Sequence, residues 1–144
     1  MLVLENFLPY RLSVLSNRVS EGIAETYRER FGLSVTEWRV IAIAGRFEGV
    51  SASEVATRAA MDKVAVSRAV ARLLDSGLIS RRDSHSDRRS KALHLTAAGR
   101  AVYEQIAPAA LAYEQKLLGK LSESERRQLM HLLERLEVIT ATER

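Results

Sequence analysis

Residues 51–99 read SASEVATRAAMDKVAVSRAVARLLDSGLISRRDSHSDRRSKALHLTAAG, and the fold is legible in where this stretch changes its period. Ser51-Ala52-Ser53-Glu54 is a capping box, a hydroxyl and a carboxylate spaced to satisfy the free amides of a helix start. It opens a short helix to about Ala60, with Val55 and Ala59 pointing inward. Asp62 caps a second helix that runs through Leu74 and stops at Ser76-Gly77. After Gly77 the helical spacing gives way to alternation. Leu78 to Arg82 and Lys91 to Leu95 form two short strands joined by polar residues 83–90, a hairpin with a long basic tip. Helix, short turn, helix and hairpin is the order of a winged helix-turn-helix.

On the N-terminal side, Leu8, Leu12, Leu15, Val19, Ile23, Tyr27 and Phe31 recur every three or four positions. They predict one long amphipathic helix, with Pro9 at its start and Gly32 ending it. A capping box at Ser34-Val35-Thr36-Glu37 then begins a helix through Trp38, Ile41 and Ala42 to about Arg46, and Gly49 closes the following turn. On the C-terminal side Thr96 caps a segment from Ala97 to about Gly119. Pro108 marks a kink or break within it, because proline lacks the amide and crowds the preceding turn. Ser122-Glu123-Ser124-Glu125 opens a terminal helix with Leu129, Leu132, Leu133, Leu136 and Ile139 on one face. The expected fold is therefore mainly α: a winged helix-turn-helix over residues 33–103, with a two-stranded wing, and a helical region from residues 1–32 and 104–144. Leu2, Val3, Leu4, Phe7 and Leu8 crowd the N-terminal end, where chains fray unless docked. Burying them with the terminal leucine stripe across a two-fold axis makes a homodimer. Burial within one chain is the other way to cover them.

The whole chain has 144 residues, 47% apolar and 28% charged, with no cysteine. That removes disulfides, thiol nucleophiles, thiolate zinc sites and thiol redox sensing together. The longest apolar runs, Val40 to Ala44 and Met1 to Leu4, fall far short of the ~20 residues of a membrane span. Glu5 precedes any basic residue, unlike the charged start of a signal peptide, so the expected location is cytoplasmic. The net charge of +4 is local. Between Met61 and Lys91 eight bases face four acids, which accounts for all of it, and those acids are the chain's only aspartates. Aspartate suits caps and turns, so the bases are left as a footprint for an anionic polymer, with a merely solvated patch as the alternative.

On the helix from Lys63, the stripe Val66, Ala69, Val70 and Leu73 faces the core. Its far side carries Val64, Ser67, Arg68 and Ala71, flanked by Lys63, Ala65 and Arg72. Small residues there let a helix approach base edges in a major groove, and Arg68 suits guanine O6 and N7 or a phosphate. Ser67 is a further phosphate or base contact, and Ser51 completes the set on the preceding helix. No catalytic constellation is present: His85, His94 and His131 have no second histidine at ligand spacing, and there is neither a Gly-rich phosphate loop nor a serine elbow. No metal, cofactor or enzymatic activity is expected.

Several segments together resemble one family. Ser51-Ala52-Ser53-Glu54-Val55-Ala56, Asp62-Lys63-Val64-Ala65-Val66-Ser67-Arg68, Leu73-Leu74-Asp75-Ser76-Gly77-Leu78-Ile79, Asp87-Arg88-Arg89-Ser90-Lys91 and Leu93-His94-Leu95-Thr96-Ala97-Ala98-Gly99 are similar to the MarR family of bacterial transcriptional regulators. The Asp-Arg-Arg wing followed by Leu-Thr-x-x-Gly is the most diagnostic part. The resemblance implies a homodimer with interlocked terminal helices on a palindromic double-stranded operator, repressing until an effector lowers DNA affinity. It implies that Arg89 enters the minor groove, that Asp87 orients it, and that Arg88 contacts a neighbouring phosphate. A carboxylate two residues before an arginine also holds the guanidinium extended on chemical grounds. The peroxide-sensing branch needs a cysteine that this chain lacks. Family members often bind aromatic carboxylates, for which the junction of the first helix with the Trp38 helix is the candidate pocket. Trp38 offers a ring face and Arg11 or Arg18 a cation. Trp38 as a core plug is the plain alternative, and Arg39 is either a surface charge or a DNA-backbone contact. Two other functions fit the residues: a winged-helix module for protein–protein assembly, and a sequence-indifferent nucleoid-type DNA binder.

Overall fold

The computed structural model describes residues 1–83 and 91–142, Asp83 by its backbone alone. A short 3-10 turn, Leu4–Asn6, leads into α1 (Leu8–Ala24), α2 (Arg28–Phe31), α3 (Val35–Arg46), α4 (Ala52–Ala59) and α5 (Lys63–Asp75). The strands β1 (Ile79–Asp83) and β2 (Lys91–Leu95) follow, then α6 (Ala97–Leu118) and α7 (Glu123–Thr142). The chain divides into two compact units, Met1–Ala109 and Ala110–Arg144. Among the described residues no helix is long and apolar enough to cross a membrane.

The first unit is organised by its core. Val66, Ala69, Val70 and Leu73 of α5 are all buried, as the stripe predicts, against Val40, Ile41 and Ala44 of α3 and Val55 of α4. Each fully buried Val or Leu contributes at most about 1.5–3 kcal/mol. On α4 the inward pair is Val55 and Ala56, while Ala59 is half-buried. The strands pair antiparallel from Ile79 opposite Leu95 to Asp83 opposite Lys91. Leu93 also bridges to Val50, donating its amide to the Val50 carbonyl at 2.8 Å, so the loop after α3 becomes a third edge of the wing.

The long first helix predicted from periodicity is in fact broken. α1 ends at Ala24 and α2 begins at Arg28. Thr26 is the cause at the local level: its hydroxyl donates to the Ile23 carbonyl at 2.7 Å, and the amides of Thr26 and Tyr27 bond three residues back, to Ile23 and Ala24. Side-chain back-bonding of this kind competes with helix propagation. The turn sends Tyr27 into the core, where it is 1% exposed. Arg28 closes the break with paired 3.0 Å bonds to Glu21, holding that carboxyl below its ordinary range. Pro108 lies inside α6, which continues through it rather than ending.

The second unit holds the rest of α6 and α7. Ser122 and Glu125 cap each other's backbone amides at 2.8 and 3.1 Å, the predicted box. Arg126 donates from Nε to the Leu118 and Leu121 carbonyls at 2.9 and 3.3 Å, satisfying the last turn of α6. No α7 side chain is fully buried, and Leu129, Leu132 and Ile139 are exposed.

Candidate nucleic-acid interface

The turn between α4 and α5 is built from three local devices. Ser51 caps α4 by accepting from the Glu54 amide at 3.1 Å. Ala60 ends α4 in the left-handed region, φ +51°, and the Met61 amide reaches back to the Ala56 carbonyl at 3.0 Å. Asp62 then accepts from the Ala65 amide at 3.0 Å and starts α5. Two helices are thus joined by very few residues, and the orientation of α5 is set by its buried stripe.

That orientation decides what α5 offers to solvent. Lys63, Val64, Ser67, Arg68, Ala71 and Arg72 are exposed, and Ala65 is half-buried at the edge. Among the described residues, Lys63, Ser67, Arg68 and Arg72 have neither an ion pair nor a side-chain hydrogen-bond partner within the protein. Three unpaired cations around small side chains form a surface that can approach an anionic groove closely. The exposed bases continue onto Arg81 and Arg82 of β1. Asp87, Arg88 and Arg89 lie outside the described residues. The hydroxyl of Ser51 accepts at the cap, and its proton is left for another contact.

The start of α6 explains the Leu-Thr-x-x-Gly pattern. Thr96 donates to the Gly77 carbonyl at 2.6 Å and accepts from the Gly99 amide at 3.0 Å, while its own amide donates to Leu78 at 3.1 Å. One residue therefore ties the end of α5, the root of β1 and the start of α6.

These features match known proteins. The MarR family profile matches residues 31–90. The transcriptional regulator BilQ of Clostridium symbiosum is 31% identical over 108 residues, 75% of each chain. The chain belongs to the MarR family. As a MarR-family protein it is a DNA-binding transcriptional regulator, not an enzyme. A MarR/EmrR family regulator from Acinetobacter sp. ADP1 superimposes with a TM-score of 0.87 at 28% identity, over 98% of this chain and 99% of that one. The repressor CouR, solved bound to a 23-mer DNA duplex, gives 0.78 at 26% identity over 93% and 94%. Rv2887 of Mycobacterium tuberculosis, solved with salicylic acid, gives 0.70 at 25% over 90% and 96%.

Two of the candidate effector residues of this MarR-family chain share a groove. Arg11 and Arg18 line one groove on α1 with Glu5, Leu8, Leu12 and Leu15, about 460 Å³ in volume. Trp38 is not among its lining residues. Its ring stands between Tyr27 and Tyr103, with centroids at 5.8 and 6.0 Å. Burial pushes the Tyr27 hydroxyl pKa up, against the opposing charges of Arg28 and Arg39.

Sequence reasoning also missed a basic cluster. Arg58 of α4 lies 3.7 Å from the Phe47 ring centroid and Arg46 lies 4.8 Å from it. Arg58 is distant from Phe47 in sequence, so no local pattern announces that contact.

Proposed function

We propose that this chain is a homodimeric, sequence-specific repressor of the cytoplasm, which reads a palindromic operator with α5 in successive major grooves and Arg89 in the flanking minor grooves. The observation that carries the reading is the outer face of α5: Lys63, Ser67, Arg68 and Arg72 unpaired around small side chains, on a helix whose opposite face is locked into the core. Arg68 then reads base edges. Lys63, Arg72, Arg88 and Ser51 hold phosphates, Ala65 and Ser67 give close approach, and Asp87 holds Arg89 extended. A protein–protein module or a nucleoid-type binder has no use for this division of labour.

Gel-shift titration against the DNA upstream of the protein's own gene, alongside random duplex of equal length, tests it. Arg89→Ala is expected to weaken operator binding by about 1–3 kcal/mol with the fold intact. Arg68→Ala is expected to change sequence preference, whereas Arg88→Ala lowers binding to all duplexes together. Equal affinity for operator and random DNA overturns the proposal in favour of the nucleoid-type reading.

For the effector, an aromatic carboxylate is proposed at the α1 face, its anion paired with Arg11 or Arg18. The salicylate complex of Rv2887 supports the ligand class. Trp38 is the chain's sole tryptophan and, packed near the end of α1, serves as the reporter. Salicylate titrated with and without operator should quench or shift its fluorescence, and linkage requires DNA and ligand to weaken each other equally. Salicylate that neither perturbs Trp38 nor releases DNA removes this part of the proposal.

A further inference from the structure

Arg39 is not the freely solvated charge that is one reading of its sequence context. It is half-buried on α3, donating from Nη2 to Ser20 Oγ on α1 at 2.8 Å and from Nη1 toward Met61 Sδ at 3.7 Å. Among the described residues it has no carboxylate partner. A hydroxyl and a thioether are weak compensation for a guanidinium that has lost part of its water, so stability alone is a poor reason for arginine here. What arginine supplies is a rigid fork, with two N–H groups at a fixed angle to two different elements.

Met61 makes that geometry consequential. Its amide closes α4 onto Ala56, and it immediately precedes Asp62, the cap of α5. The residue before a cap fixes the angle at which the chain enters the helix, through its side-chain packing. Met61 therefore belongs to both helices of the turn, and Arg39 holds it by the side chain while holding α1 by Ser20.

We propose that Arg39 is a positioning residue for operator reading: its fork makes the placement of α1 set the angle at which α5 presents Lys63 and Arg68. The proposal rests on α5 being the DNA-reading helix, and its test separates the two. Duplexes are selected from a random-sequence library with the full-length protein, and affinities for the enriched operator and an unrelated duplex are measured at one salt concentration. Arg39→Lys keeps the charge and loses the fork; Met61→Leu keeps the volume and loses the sulfur. Each is expected to lower the operator-to-random affinity ratio by at least about fivefold. Random-duplex affinity and its salt slope should stay unchanged, because no phosphate contact is lost. Ser20→Ala should lower the ratio as well, and add little to Arg39→Lys when combined, since both cut one connection. A fall in random-duplex affinity with a shallower salt slope makes Arg39 a phosphate contact and overturns the proposal. An unchanged ratio in folded Arg39→Lys and Met61→Leu proteins, or a lowered melting temperature with an unchanged ratio, overturns it too. If the wild-type protein enriches no sequence, the reading of α5 fails first and this proposal with it.

Discussion

Gly99 stands at the third position of α6, where its amide is taken by Thr96 and its Cα faces the backbone of Leu78. A Cβ added there would overlap the Leu78 carbonyl oxygen and come within 2.9 Å of its carbon. The obstruction is main chain at the root of β1, so no rotamer relieves it. Gly99→Ala is therefore expected to destabilise the first unit by about 1–3 kcal/mol, the usual cost of overpacking, read as a lower urea midpoint with unchanged slope. Thr96→Ala removes the cap and the Gly77 contact at the same joint and should cost about 1 kcal/mol. An Ala at residue 99 with wild-type stability would show that the joint between β1 and α6 is soft. The diagnostic Leu-Thr-x-x-Gly pattern was visible in the sequence, but its reason is a backbone contact between residues 21 apart.

Among elements, the turn between α4 and α5 is where local propensity and tertiary demand disagree. Ala60 holds φ +51°, a region in which a side chain costs about 1–2 kcal/mol and which glycine enters freely. Ala60→Gly should raise stability by about 0.5–1 kcal/mol, the relief of strain less the extra freedom of glycine in the unfolded chain. Chemical denaturation checks the sign, and a loss of stability would mean that the alanine methyl contributes packing worth more than the strain. The caps tell the opposite story. Ser34, Ser51, Asp62 and Ser122 were each predicted as helix starts and each accepts the amide three residues on. These contacts are complete within four residues, which is why they are readable before any tertiary structure is known. The first helix was misread for the converse reason. Tyr27 and Phe31 keep the helical period; the Thr26 back-bond weakens the helix locally, and the core's requirement for Tyr27 selects the turn there.

For the whole molecule, the exposed apolar residues matter most. Leu2, Val3, Leu4, Leu8, Leu12 and Leu15 are 43–61% exposed in the first unit, and Leu111, Leu132 and Val138 56–65% in the second. Exposed large apolar residues in such number within each unit mark an interaction surface, which supports the proposed homodimer. Sedimentation should give a dimer, and removal of residues 1–8 should shift it toward monomer or unfold it. On DNA the dimer should protect two half-sites about one helical turn apart, roughly 10 base pairs between centres. A stable monomer that binds operator with full affinity would refute the two-fold arrangement.

By itself the sequence determined the elements from α3 onward, their caps, the mainly α winged helix-turn-helix and the outward face of α5. All of these depend on contacts within about one turn or on the period of apolar residues. The family, too, was carried by short motifs. Tertiary structure decided that the turn Thr26 favours locally becomes a break between α1 and α2, and it alone decided the third edge that Val50 adds to β2, the packing of Trp38 against Tyr27 and Tyr103, Arg58 over Phe47 and the fork of Arg39. Each joins residues from different elements, and a chain's local pattern carries no information about which distant side chain will arrive. Arg39 is the clearest case. Its charge suggests a surface or a phosphate, and nothing local announces the serine and the methionine that packing brings to its two nitrogens.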